Sequence, residues 1–105
     1  MLPGFARMAA LSDILPDIAA LVAQSSDECV KGSTSVWNKL RRVMGDVKKE
    51  PEILDNLGSE DLGTLWEFIL RLFADKPAYQ KQLLDISATM IISDSGLAAF
   101  QKASR

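Results

Sequence analysis

Apolar residues recur at helical spacing along almost the whole chain. Met8, Leu11, Leu15, Ile18 and Val22 step by three and four, which places them on one helix face. Pro16 interrupts this stretch, because it donates no backbone hydrogen bond and disfavours helical geometry at Leu15. The pattern predicts an irregular apolar arm over residues 1–11 leading into a helix over residues 12–24. Two shorter helices meeting at Leu15-Pro16 are the other solution. Ser25, Ser26, Gly32, Ser33, Thr34 and Ser35 are turn and capping residues, so residues 25–35 read as a connection in which residues 27–31 can add a short helical turn, with Ser33 or Thr34 capping the next helix. That helix carries Val36, Trp37, Leu40, Val43, Met44 and Val47 on one face.

Pro51 marks a restart, since proline suits a first helical turn. Ile53, Leu54 and Leu57 then face inward, and Gly58 is the expected C-cap. Ser59-Glu60-Asp61 opens the strongest helix, with a cap residue and two acids against the helix dipole. Leu62, Leu65, Trp66, Ile69, Leu70 and Phe73 form its stripe. Gly63 costs about 1 kcal/mol against alanine inside a helix, which points to a close helix contact there. Pro77 repeats the restart, and Tyr79, Leu83, Ile86 and Met90 share the next face. Residues 88–92 also suit a short strand, but no second strand is available to pair with it, so helix is the assignment. Ser93-Asp94-Ser95-Gly96 reads as a turn before a short terminal helix with Leu97, Ala98 and Phe100. Val47, Pro51 and Leu57 recur as Phe73, Pro77 and Leu83, 26 residues later. Two copies are too few for a solenoid, so the echo reflects shared corner chemistry.

The expectation is an all-α fold, a compact bundle of five to six short helices forming one domain over residues 1–105. The expected core is Leu15, Ile18, Val22, Trp37, Leu40, Val43, Met44, Leu57, Leu62, Leu65, Trp66, Ile69, Phe73, Leu83 and Ile86. Composition agrees with a globular domain, at 48% apolar and 25% charged residues.

Candidate chemistry is sparse. There is no histidine, which removes the commonest general acid–base and metal ligand. Cys29 is the single cysteine and has no imidazole to deprotonate it. A lone thiol suits a reducing, cytoplasmic compartment. Ser33, Ser93 and Ser95 lack a basic partner in any triad pattern. Asp13 and Asp17 are four apart but stand without a second pair, so they read as solvated acids. Glu60, Asp61 and Glu67 are accounted for by helix-dipole and surface roles. No calcium loop or phosphate-cradling glycine loop occurs. These absences predict a non-enzymatic protein without cofactor or metal.

Charge is the most informative polar feature. Lys39, Arg41, Arg42, Lys48 and Lys49 crowd residues 39–49, against Asp46 alone. Residues 50–67 then hold Glu50, Glu52, Asp55, Glu60, Asp61 and Glu67 with no base. If the two patches neutralise each other, they are solvated faces of adjacent helices. If they point apart, one copy's basic face meets another's acidic face. Such a contact is heterologous and builds rings or filaments. The net charge of −2 and the adjoining acids disfavour nucleic acid. At the level of helix count and bipolar charge, the chain is similar to death-fold-type adaptor and effector-associated domains. That likeness implies a self-associating or adaptor-type interaction module.

The expected partner-binding residues are Lys39, Arg41, Arg42, Lys48 and Lys49 against Glu52, Asp55, Glu60 and Asp61. The partner is a protein or a second copy. One alternative is a small inhibitor or immunity-type protein that binds one target through its acidic face. The other is a membrane-active helix formed by the apolar arm, which includes Leu2, Phe5 and Met8. Arg7 alone is a weak basis for attraction to anionic lipid.

Overall fold

The computed structural model describes residues 4–24 and 26–103; for residues 4–10, 26, 27 and 30 it describes the backbone alone. Five α-helices follow in order: α1 (Gly4–Val22), α2 (Ser26–Val47), α3 (Ser59–Asp75), α4 (Gln80–Ile92) and α5 (Asp94–Ala103). Two 3-10 turns, Pro51–Asn56 and Pro77–Tyr79, join α2 to α3 and α3 to α4. Both begin at the prolines that mark the 26-residue echo, so the shared corner chemistry is real. Residues 88–92 are helical, and no strand occurs among the described residues. The fold is an all-α bundle.

The helices close a ring in the order α1, α2, α4, α5, α3, each packing on the next and α3 on α1. Helix α3 also touches α2 and α4, so it packs against all four other α-helices. That central place explains its breadth of burial. Leu62, Leu65, Trp66 and Ile69 are buried as the stripe predicts, and Phe68 and Leu72 on its flank are buried too. Phe73, expected in the core, is half-buried, and Leu70 of the same stripe is exposed.

Two helix starts differ from the sequence reading. Helix α1 begins at Gly4 and runs through Pro16 without a break. Ser12, Pro16 and Ala19 are exposed, so the Ser12 carbonyl left without its helical donor is on the solvent side, where losing the bond costs least. The reading of Leu2, Phe5 and Met8 as a packed or partner-binding arm lies outside the described residues. Helix α2 begins at Ser26, not near Ser33. Ser33 is fully buried, and a Cβ on Gly32 would stand 3.0 Å from Leu21 Cδ2 of α1. Both small residues sit inside the helix, and Gly32 lets α1 and α2 approach closely. Cys29, Ser33, Val36, Leu40, Met44 and Val47 form one buried stripe.

The glycines at 58 and 63 also have other roles than expected. Gly58 has φ −67° and ψ 157° and stands as the N-cap of α3, not as a left-handed C-cap. Its carbonyl accepts the Leu62 N–H at 3.1 Å. Gly63 makes no close helix contact: nothing lies within 4 Å of a Cβ built there. Gly63→Ala is therefore expected to raise stability by about 1 kcal/mol through helix propensity alone, read as a higher urea midpoint with an unchanged slope.

Both tryptophans belong to the core. Trp37 stacks on Tyr79 with ring centroids 4.6 Å apart, tying α2 to the second 3-10 turn. Trp66 packs against Phe100 at 4.7 Å, and its indole N–H donates to the Gly96 carbonyl at 2.8 Å.

Candidate interaction site

The basic residues lie on the outer face of α2 and at its end. Lys39, Arg41, Arg42, Lys48 and Lys49 are all exposed. Arg41 and Arg42 line a cleft of about 620 Å³ between α2 and α4, together with Asn38, Gln82, Asp85 and Thr89. Gly45 on α2 also lines the cleft, and nothing lies within 4 Å of a Cβ built there. Arg41 Nη2 donates to Asn38 Oδ1 at 3.2 Å, which orients its guanidinium along the helix. Lys48 Nζ reaches across to Asp85 Oδ1 at 2.9 Å, both side chains more than half exposed. An exposed pair of this kind contributes about 0–1 kcal/mol and mainly stitches the cleft's end.

The acids of residues 50–67 are spread over other seams. Glu52 is exposed on the first 3-10 turn. Asp61 lines a hollow between α1 and α3, beside Ser12 and Pro16. Glu60 borders the groove between α3 and α5. Among the described residues none of Arg41, Arg42, Glu60 and Asp61 forms an ion pair. Glu67 instead pairs with Arg71 one turn on, at 3.0 Å, and Arg71 also donates to the Gln24 carbonyl at the end of α1.

Asp55, an expected partner-contact residue, is exposed and also hydrogen-bonds within the fold. Its Oδ1 accepts the Ser93 hydroxyl at 2.7 Å and the Ser95 N–H at 3.3 Å. Ser93 Oγ in turn accepts the Gly96 N–H at 3.2 Å. Ser93 thus caps α5 from the adjoining position, and Asp55 adds a second capping acceptor from a distant part of the sequence. Residues 93–96 are therefore a capped helix start, with Asp94 already helical.

The Ser93 hydroxyl first, and Ser95 second, hold the Asp55 carboxyl below its ordinary value of 3.8. These bonds vanish on unfolding, so a folded-state pKa below the unfolded one contributes stability above the unfolded value. That contribution is lost as pH falls through 3.8 and on through the lower folded value. Asp55→Asn is expected to flatten the acid limb of the stability–pH curve, measured by urea unfolding between about pH 6 and about pH 3.

The other candidate groups stand apart. Asp13 and Asp17 are exposed on α1. Cys29 is fully buried. Among the described residues no three His, Cys, Asp or Glu side chains converge as metal ligands. No single helix among them is long and apolar enough to cross a membrane. No protein family, curated protein or solved structure matches the chain.

Proposed function

We propose that the chain is a non-enzymatic, cytoplasmic protein-interaction module that self-associates through complementary charge. The Arg41–Arg42 wall of the α2–α4 cleft in one copy receives the Glu60–Asp61 corner of α3 in another. The observation that carries this reading is the separation of the two patches onto different seams of the ring, without ion pairs between them. Each patch therefore keeps its charge for a second molecule, and the contact is heterologous.

Sedimentation velocity at low and high salt tests it, because exposed charge contacts weaken as screening shortens their range. The wild type is expected to form larger species at low salt. Arg41→Glu/Arg42→Glu and Glu60→Lys/Asp61→Lys should each lose them. Mixing the two variants should restore one junction, because the first keeps the acidic corner and the second keeps the basic cleft. A wild-type mass that is the same at low and high salt would refute the proposal.

A further inference from the structure

The α2–α4 cleft has the size and the lining of a small-molecule site. Its volume of about 620 Å³ lies within the usual span of such sites, about 300–1,000 Å³. One wall is cationic and without a counter-ion. Arg41 and Arg42 both line it, and among the described residues neither forms an ion pair. Consecutive positions stand about 100° apart round a helix, so the two guanidinium groups reach one cleft from two directions. Among the described residues Asp85 is the only carboxylate in the lining. Lys48, which is not in the lining, holds it at 2.9 Å. That pair occupies the one carboxylate that stands beside the arginines. The rest of the lining is mixed. Met44 and Ile86 are buried and give it apolar surface, and open space surrounds a Cβ built on Gly45. Asn38 and Gln82 bring amide donors.

We propose that the cleft binds a small organic phosphate, with its phosphate on Arg41 and Arg42 and its organic body over Gly45, Met44 and Ile86. A phosphomonoester carries about −1.5 to −2 charges at pH 7 and three acceptor oxygens, which matches two guanidinium groups. Each guanidinium is a planar fork suited to bidentate bonds with phosphate. A single carboxylate brings one charge and two oxygens, which leaves one arginine unmet. Inorganic phosphate brings the charge but leaves the apolar floor uncovered. Lys48 acts as a positioning residue, because it keeps Asp85 from neutralising the arginines. The inference rests on the same open cationic wall as the self-association reading, but it needs no second copy. Ligand and acidic corner compete for that wall, so the ligand disperses the assembly.

Isothermal titration calorimetry with phenyl phosphate tests this, at a salt concentration where the wild type is monomeric. Equal 1:1 binding is expected to the wild type and to Glu60→Lys/Asp61→Lys, which lacks only the acidic corner. Arg41→Gln and Arg42→Gln should each weaken it about tenfold, the scale of losing one charged hydrogen-bonding group. Lys48→Gln should also weaken it, although Lys48 does not line the cleft, and adding Asp85→Asn should restore it. Gly45→Leu should fill the cleft and block the ligand. Benzoate and inorganic phosphate should each bind about tenfold more weakly than phenyl phosphate. Absence of binding, binding indifferent to Arg42→Gln, or benzoate or inorganic phosphate equal to phenyl phosphate would overturn the proposal. A wild type that binds phenyl phosphate yet never assembles at low salt refutes self-association and supports the ligand site. One that assembles yet binds no phenyl phosphate does the reverse.

Discussion

Replacing Trp66 by alanine is expected to destabilise the domain by about 4 kcal/mol, in the range for removing a large buried aromatic. Trp66 is 1% exposed and lies on the helix that packs against all others. Its loss opens a cavity between α3 and α5, frees one face of Phe100 and removes the donor to the Gly96 carbonyl. Trp66→Phe separates these contributions. Phenylalanine keeps an aromatic ring against Phe100 but lacks the N–H, and a hydrogen bond contributes about 1 kcal/mol net. With some lost volume, about 2 kcal/mol is expected. Urea unfolding followed by circular dichroism reads both. Small domains hold only about 5–15 kcal/mol in total, so the alanine variant stands near the edge of folding.

Gly96→Ala is expected to destabilise by about 2 kcal/mol, against the direction of helix propensity. Alanine in a helix gains about 1 kcal/mol over glycine. At position 96, however, the new methyl would fall deep inside the contact distance of the Met90 carbonyl oxygen. Backbone cannot swing aside as a side-chain tip can, so the clash costs about 3 kcal/mol, the upper end for overpacking. The Gly63→Ala variant is the internal control, because the same chemical change meets open space there. Opposite signs for the two substitutions, in the same urea experiment, would isolate the steric cause.

Much of the fold is legible in the sequence, and the places where it is not have a common physical cause. The apolar stripes of α2 after residue 35 and of α3 are plain because large side chains carry them. Prolines 51 and 77 mark corners because a missing N–H is tolerated only in a first turn or outside a helix. The misread segments depend on small residues. Gly32 and Ser33 are common in turns, yet in this chain both lie inside a helix, and Gly32 lets α1 lie close on α2. The usable signal was the spacing, since Cys29 and Ser33 extend the stripe of Val36 and Leu40 backward at steps of four and three. Gly63 invites the opposite error, because a glycine inside a helix suggests a close contact that is absent. Pro16 marks a break only if its neighbours need the lost bond, and on the solvent side of α1 they do not.

The site is legible in composition and hidden in arrangement. The basic and acidic runs are contiguous in sequence, but only the ring order shows that they face different seams. Asp55 is indistinguishable from its acidic neighbours until α5 returns to meet it from 38 residues further on. Asp85, which pairs with Lys48, lies outside both charged runs.

Cys29 carries one more consequence. It is the chain's only thiol and is fully enclosed, one turn before Gly32, where α1 and α2 approach closely. An alkylating reagent reaches the sulfur only when the packing around it opens or the chain unfolds. When reclosing outpaces chemistry, the labelling rate is the intrinsic rate multiplied by the opening equilibrium constant. The native chain thus contains its own gauge of local opening around the start of α2. The gap between that free energy and the one from urea unfolding measures how far this region opens independently of the rest of the ring.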